Sequence, residues 1–182
     1  MTLDTRAKNI WVVKARAEHA DGEGGWDWEE YFFPEPDEAD EPYGWGGGAW
    51  INSPASKKHI REDVRKGDLV VCYRVDDREI VGFTTMASHG YEETVGSGQF
   101  NVFKLAPPND AFPLLVPPTI SDLHAHDCHP KCFGPGTQGT VFSVEPDEFA
   151  CIVKVINSER SAPKLALSLW LQWAGWEEPR IS

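Results

Sequence analysis

The residues with the most distinctive chemistry in this sequence lie between positions 45 and 58, in the stretch WGGGAWINSPASKK. Its three consecutive glycines let the backbone approach a ligand closely, because glycine has no Cβ atom. Trp45 and Trp50 offer flat faces on which a nucleobase can stack. Asn52 and Ser53 supply short polar groups that can read the edge of a base. The stretch therefore has the residue types of a base-binding pocket.

Positively charged residues continue from this stretch. Lys57 and Lys58 end it, and Arg61 follows within a helix that we predict over residues 56–66. Cations and a helix N-terminus suit phosphate groups, and phosphate contacts give nucleic-acid binding its salt dependence. A purely structural interpretation is also open, in which the glycines form a hinge, Trp50 fills a core and the helix presents a solvated face.

A second group of chemically active side chains lies in the stretch HAHDCHPKC, residues 124–132. The C-x-x-x-C spacing within it falls in the range that zinc sites use. The distant partner pair of a zinc finger is missing, so a zinc ion would need a single compact site or a remote ligand. The candidate ligands are His124, His126, Cys128, His129 and Cys132. The alternative is a polar loop, and apart from this structural zinc we expect no cofactor.

Motifs for catalysis are missing from the chain. There is no G-x-S-x-G nucleophile motif, and the glycine-rich stretch CFGPGTQGT lacks the G-K-[ST] ending of a phosphate-binding loop. The histidine-rich stretch lacks the H-x-E and P-C-x-x-C pair of zinc deaminases. A zinc-dependent enzyme is therefore the least favoured hypothesis, and we expect a binding module that is not an enzyme.

The net charge of −12 argues at first sight against a partner with a phosphate backbone. Eleven acidic residues lie within residues 18–41, however, and that segment contains no Lys or Arg. The remaining 18 of the 29 acidic residues face 17 basic ones, so the rest of the chain can carry a local basic face. The many aromatic residues of the segment favour an ordered long loop over residues 18–48. A protein–protein adaptor that docks this loop on a basic partner is the second hypothesis.

The sequence also bears on the compartment. It has no apolar run of about 20 residues, which a membrane span needs, and its first residues lack the pattern of a secretory signal. We therefore expect a cytoplasmic protein with no membrane partner. Its four cysteines are then expected to be reduced thiols.

The spacing of apolar residues predicts a mixed chain of the α+β class. The predicted strands are residues 9–15, 68–75, 79–87, 100–105 and 140–144. The predicted helices are residues 56–66, 146–156 and 163–173, with a short helix near 119–126. Strands joined by hairpins and flanked by short helices are typical of a small curved sheet or barrel.

The order of these pieces resembles the EVE domain, a branch of the PUA-like superfamily that is related to YTH domains. Four stretches carry the resemblance: IWVVKA with its W-x-x-K pattern, AWINSPASKKHIREDVRKGDLVVCYR, EIVGFTTM and GTQGTVFSVEPDEFACIVKVI. Together they cover most of residues 9–156. The resemblance implies a PUA-like curved sheet or small barrel of roughly six strands. We therefore expect residues 1–182 to form a single EVE/PUA-like domain, with the acidic aromatic loop as an insertion.

The resemblance also implies a ligand, namely DNA or RNA with a modified base, expected to be methylated, in an aromatic cage. Carried over by position, Trp50 is the main stacking wall, and Asn52 and Ser53 make polar contacts. The residues expected at the pocket rim or the nucleic-acid backbone are Lys14, Arg16, Lys57, Lys58 and Arg61. No motif fixes the second wall, for which the candidates are Trp45, Tyr73, Tyr91 and Phe100. A larger effector protein or a second copy of the chain remains open as a further partner.

Overall fold

The computed structural model of the chain describes residues 8–18, 24–33, 43–45, 58–134, 140–158 and 164–176. Within them, the strands are β1 Ile10–Glu18, β2 Gly24–Trp26, β3 Tyr43–Trp45, β4 Leu69–Arg74, β5 Glu79–Thr85, β6 Tyr91–Val95, β7 Gly98–Leu105, β8 Phe112–Pro113 and β9 Val141–Val144. The α-helices are α1 Trp28–Tyr31, α2 Ile120–Ala125, α3 Pro146–Ser158 and α4 Lys164–Trp173. A π-helical turn covers His59–Asp63, and 3₁₀ turns cover Pro108–Asp110 and Lys131–Phe133.

Strand β1 is central to the main sheet. Along one edge it pairs in parallel with β4, with Lys14 opposite Tyr73. Along the other edge it pairs antiparallel with β9 through its first half and with β2 through its second half. Strands β5 and β8 extend the sheet beyond β4. The main sheet therefore has six strands, of which β1, β4, β5 and β9 were predicted from the sequence and β2 and β8 were not.

A second, three-stranded sheet has the order β3-β7-β6. An isolated bridge between Met86 and Leu105 connects the end of β5 to the end of β7, and so joins the two sheets. The result is a curled, mixed half-barrel with short helices around it. This architecture confirms the predicted α+β class and the predicted curved sheet.

The main sheet is buried on both faces, which explains why β1 and β4 consist of nearly unbroken apolar runs. On one face, Ile10 and Val12 join a core that is covered by α2, α3 and α4. On the other face, Trp11 and Val13 join a core that contains α1 residues and the inner side of β7. Alternation along β1 thus supplies both cores from one strand.

A buried carboxylate fixes the start of β1 against the start of β4. Asp68 accepts hydrogen bonds from the backbone N–H groups of Asn9 and Arg65, at 3.1 and 2.9 Å. It also accepts one from the indole N–H of Trp11, at 2.8 Å. Three donors offset the cost of burying this charge. The aspartate therefore sets the register from which the parallel pair begins.

The helix predicted over residues 56–66 is shorter in the structure. Among its described residues the helical turn ends at Asp63, and Val64 is already extended. Ile60 and Val64 are both buried, so this segment packs into the core although the helix is not continuous. Residues 56 and 57 of the predicted helix lie outside the described residues.

The π-helical turn packs directly on the chain that leads into β6. A Cβ atom built on Gly90 would lie 1.5 Å from the carbonyl oxygen of Ile60. No side chain fits in that space, so position 90 requires glycine. The backbone N–H of Gly90 donates to the carbonyl of Val64 at 3.3 Å, which ties the turn to this segment.

An ordered long loop was expected over residues 18–48, and its described part contains the regular elements β2, α1 and β3. Trp28 and Phe32 are fully buried in the same core as Trp11. The indole N–H of Trp28 donates a hydrogen bond to the carbonyl of Tyr73 at 3.1 Å. The acidic composition of the segment gave no sign that it covers one face of the main sheet.

The expectation of four reduced thiols was also wrong. Cys128, after α2, forms a disulfide with Cys151 in α3, and their Cα atoms are 5.8 Å apart. Cys72 and Cys132 are buried thiols. The helices in the described part of the chain lack the length and apolar composition that crossing a bilayer requires.

Candidate nucleic-acid interface

Three aromatic rings surround the ammonium group of Lys14. The Lys14 Nζ atom lies 4.5 Å from the ring centroid of Phe142, 5.9 Å from that of Phe133 and 6.0 Å from that of Tyr73. A cation within about 6 Å of an aromatic face is attracted by the ring quadrupole. We call these four residues the Lys14 cluster.

The sheet pairing brings the Lys14 cluster together. Tyr73 stands opposite Lys14 on the parallel neighbour β4, and Phe142 lies on the antiparallel neighbour β9. Phe133 ends the 3₁₀ turn before β9 and packs on Tyr73, with their ring centroids 4.7 Å apart. Tyr73 is buried, whereas Phe133 and Phe142 keep part of their surface exposed. The cluster therefore lies at the edge of the core, where a ligand can meet aromatic surface.

Burial controls the protonation of the cluster. It lowers the pKa of Lys14, an effect that the nearby Cys132 partly opposes. Burial, together with the charge of Glu148, raises the pKa of Cys132 to about 12. A thiol that stays protonated is a poor nucleophile. The chemistry available at the cluster is hydrogen bonding, stacking and cation–π contact.

Two arginines lie next to the cluster. Arg16 is two residues beyond Lys14 on β1, and its Nε atom is 4.0 Å from a carboxylate oxygen of Asp76. Arg78 lies in the turn between β4 and β5. Burial raises the pKa of Tyr73, and the hydrogen-bonding guanidinium of Arg78 with its charge partly opposes this rise.

The residues predicted for the pocket are distributed over two regions. Tyr73 and Lys14 are together in the Lys14 cluster, and Arg16 is beside it. Trp45 lies on β3, opposite Phe103 of β7. Tyr91 and Phe100 lie on the β6–β7 hairpin of the second sheet, opposite Val102 and Glu93. Trp50, Asn52, Ser53 and Lys57 fall outside the described residues.

The remaining predicted phosphate contacts lie at the π-helical turn. Lys58 is exposed immediately before the turn. Arg61 is exposed within it, and its guanidinium is 3.2 Å from a carboxylate oxygen of Glu92 on β6. The charge of Arg61 is thus already matched by a surface acid, and its contribution to a basic face is small.

The geometry does not assemble the predicted zinc site. Cys128 is bound to Cys151, and a disulfide sulfur cannot serve as a thiolate ligand. The rings of His124 and His129 contact each other at a tilt, with centroids 4.6 Å apart. Within the described ranges, no three His, Cys, Asp or Glu side chains are arranged to hold a metal ion. His126 and Cys132 are therefore not joined to a ligand set among these residues.

Phe133 and Phe142 belong to the Lys14 cluster and Arg78 lies beside it, and none of the three was among the predicted site residues. Phe133 lies in the glycine-rich stretch CFGPGTQGT, and Phe142 lies in the predicted strand over residues 140–144. The alternation of side chains along β9 was the available signal for Phe142. Nothing local marks Phe133, because it reaches the cluster through pairings between distant segments. Arg78 is close to Tyr73 in sequence, in the turn of the β4–β5 hairpin, but its residue type alone does not mark it.

No protein-family model matches the chain, and neither does any of the curated proteins. Solved structures do match. Human THYN1, in complex with DNA that contains 5-methylcytosine, has a TM-score of 0.60 and 13% identity, over 86% of this chain and 100% of that chain.

Two further structures match over similar lengths. A protein from Rhodopseudomonas palustris has a TM-score of 0.57 and 21% identity, over 81% of this chain and 92% of that chain. A hypothetical protein from Leishmania major has a TM-score of 0.58 and 12% identity, over 85% of this chain and 98% of that chain. The chain has the PUA-like fold that it shares with THYN1.

Proposed function

We propose that this chain is a non-catalytic nucleic-acid-binding module of the EVE type, which holds a modified base of DNA in an aromatic pocket. The observation that carries the proposal is the Lys14 cluster, in which three rings gather around one cation at the edge of the core. It lies at the strand with the W-x-x-K pattern. The likeness to THYN1, whose structure contains 5-methylcytosine DNA, supports the same conclusion.

Aromatic surface suits a methylated base for physical reasons. A methyl group adds apolar area, and faces of aromatic rings favour such area once water is excluded. The base must first leave its stack, which costs a few kcal/mol and is easiest in single-stranded or distorted DNA. Stacking returns about 1–3 kcal/mol per base. In this proposal Trp50 is the principal wall, with Asn52 and Ser53 reading the base edge.

Lys14 has a defined part in this proposal. Its charged form is disfavoured by burial, as its lowered pKa indicates. An acceptor atom of the base or of its phosphate that adds a contact to the ammonium group would reduce this penalty, since a charge-assisted hydrogen bond is stronger in a dry site. Lys14 therefore supplies a donor whose strength rises when the ligand closes the pocket.

The adaptor hypothesis loses support from the packing of the acidic segment. Two of the aromatic side chains it would use, Trp28 and Phe32, are fully buried and unavailable for docking.

The cytoplasmic location stays part of the proposal. The Cys128–Cys151 disulfide argues against it, because structural disulfides are rare in reducing compartments such as the cytoplasm.

Binding of labelled oligonucleotides at low salt tests the proposal. The panel contains single- and double-stranded DNA with cytosine, 5-methylcytosine or 5-hydroxymethylcytosine at one position, and the matching RNA strands. We expect wild-type protein to prefer one modified DNA. Trp50→Ala and Lys14→Met should each weaken that binding about tenfold or more, which is the loss of one stacking or charged contact. Lys154→Met, at an exposed position on α3, is the matched control and should leave affinity unchanged.

The outcomes separate the parts of the proposal. No binding of wild-type protein to any strand would refute it. Binding of equal strength to modified and unmodified strands would refute recognition of the modification alone. Preference for the RNA strands would reassign the partner. Normal binding by Trp50→Ala would remove that residue from the pocket.

A further inference from the structure

The turn between β4 and β5 carries three charged residues, and two of them are engaged with arginines outside the turn. Asp77 lies 3.0 Å from the guanidinium of Arg74. Asp76 lies 4.0 Å from the guanidinium of Arg16. The third residue, Arg78, is exposed, and no Asp or Glu among the described residues forms an ion pair with it. The turn therefore presents an arginine whose charge is not matched by a neighbouring carboxylate.

The backbone of Arg78 has the left-handed conformation, with φ of 56°. This region is unfavourable for residues with a Cβ atom, and glycine or asparagine usually occupies it in turns. The conformation is held by two backbone hydrogen bonds, from Arg78 N–H to Val75 and from Ile120 N–H to Arg78. A strained residue of this kind points to a use for its side chain.

The side chain of Arg78 reaches the proposed pocket. Its guanidinium is near enough to the hydroxyl of Tyr73 to oppose the rise in the pKa of that group, and the Tyr73 ring centroid is 6.0 Å from the ammonium of Lys14. A guanidinium has five N–H donors in one plane, and one phenol hydroxyl can accept from only some of them. The others suit a phosphate, which a guanidinium binds with two parallel hydrogen bonds.

We propose that Arg78 binds the backbone phosphate next to the base held at the Lys14 cluster, so that the β4–β5 turn is a phosphate contact of the interface. This inference rests on the proposed function and adds to it a contact outside the base pocket. A phosphate contact positions the strand without reading its sequence. Arg78 therefore contributes equally to modified and unmodified DNA, whereas the pocket discriminates between them.

Arg78→Gly is the informative variant. It removes the guanidinium and also relieves the left-handed strain, so its melting temperature should equal or exceed that of wild type. Its affinity should fall about tenfold at low salt for modified and unmodified strands alike, as for the loss of one charged hydrogen bond. The slope of log affinity against log salt should become shallower by about one unit. Arg78→Lys, which keeps the charge, should recover most of that slope.

Tyr73→Phe is the matched comparison. It removes the hydroxyl that lies near Arg78 and leaves the guanidinium in place. If Arg78 only orients Tyr73, then Arg78→Gly and Tyr73→Phe will weaken binding in the same way, with no change in salt slope. If Arg78 binds phosphate, then only Arg78→Gly will change the slope.

The results distinguish this inference from the proposed function. Wild-type protein that binds no oligonucleotide overturns both. Wild-type protein that prefers a modified strand, together with an unchanged salt slope in Arg78→Gly, overturns the phosphate contact and leaves the pocket. A melting temperature of Arg78→Gly well below that of wild type would also count against the phosphate contact, because it would give the side chain a structural role. In that case the salt slope of Arg78→Lys decides: a slope close to that of wild type supports the phosphate contact, and a shallower slope overturns it.

Discussion

Lys14 and Arg74 are cations on the same pair of parallel strands, and the protein surrounds them in opposite ways. Lys14 is opposite Tyr73, and Arg74 is the residue after Tyr73, so their side chains leave the sheet on opposite faces. Lys14 lies among aromatic rings. Arg74 lies among carboxylates, namely Asp27, Glu29, Asp77 and Glu79.

The pKa values express this difference. Burial acts to lower the pKa of Arg74, but hydrogen bonds and charges from Glu29 and Glu79 outweigh it and raise the pKa. Burial lowers the pKa of Lys14. The charge of Arg74 is therefore committed to the fold, where it ties the acidic segment to the main sheet. The Lys14 cluster instead has partly exposed aromatic surface, which the proposed function assigns to the ligand.

Trp28→Ala should give the largest effect on the Arg74 side. Trp28 is fully buried, and it donates a hydrogen bond to the backbone of Tyr73. We expect the free energy of unfolding to fall by about 3–5 kcal/mol, as for other large-to-small aromatic changes in cores. Urea denaturation measures this, with the exposed Trp173→Ala as control. A loss below about 1 kcal/mol, which is typical of surface substitutions, would mean that the acidic segment contributes little to the core.

Arg74→Met should destabilise the protein without impairing binding. It leaves Asp27 and Glu79, both largely buried, without their cation. We expect a loss of about 2–4 kcal/mol, somewhat less than for a fully buried pair because the site has some solvent access. Affinity for the modified strand, measured under conditions where the variant is folded, should match wild type. A selective loss of affinity would break the division between the two faces.

Alkaline pH should reduce stability through two buried thiols, Cys132 on the Lys14 side and Cys72 in the opposite core, because burial raises the pKa of both. The pKa of Cys132 rises from 9.0 to about 12 on folding, so the folded state binds more protons than the unfolded state across that interval. The corresponding stability is complete below pH 9 and is lost as pH rises toward 12. Lys14 acts in the opposite sense, because its folded pKa lies below 10.5, and stability from it grows as pH rises toward that value.

Comparison with Cys132→Ala isolates the thiol in this experiment. Between pH 8 and pH 12, we expect the free energy of unfolding of wild type to fall by roughly 2 kcal/mol more than that of the variant. This figure is smaller than the full pKa difference implies, because the protein relaxes around a buried charge. Urea titrations at a series of pH values measure the difference. Parallel curves for the two proteins would mean that the thiol is not buried in the way described.

Much of the main sheet was predictable because its signals are local. The apolar run after Asp68, the Asp-Asp-Arg turn and the return strand predicted the β4–β5 hairpin correctly. Pro146 at the first position and the apolar stripe that follows predicted α3. Thr119 and Asp122 form the capping box that starts α2. Each of these elements is determined by residues within a few positions of one another.

The rest of the fold depends on contacts between distant residues. Strand β6 was missed because its exposed glutamates conceal an edge strand. The parallel pairing of β1 with β4 and the pairing of β1 with β9 bring Tyr73 and Phe142 to Lys14, and no spacing along the chain predicts that meeting. The disulfide partner of Cys128 was likewise not deducible, because connectivity cannot be derived from cysteine positions.

Gly90 shows how one residue governs a surface it does not belong to. Because its Cα lies against the carbonyl of Ile60, the π-helical turn and the start of β6 share a boundary with no clearance. Any larger residue there would act as a wedge and push the turn away from the second sheet. Lys58 and Arg61 would move with it, as would His59, which lies against Trp11. The orientation of the π-helical turn, one part of the candidate interface, thus depends on position 90 having no side chain.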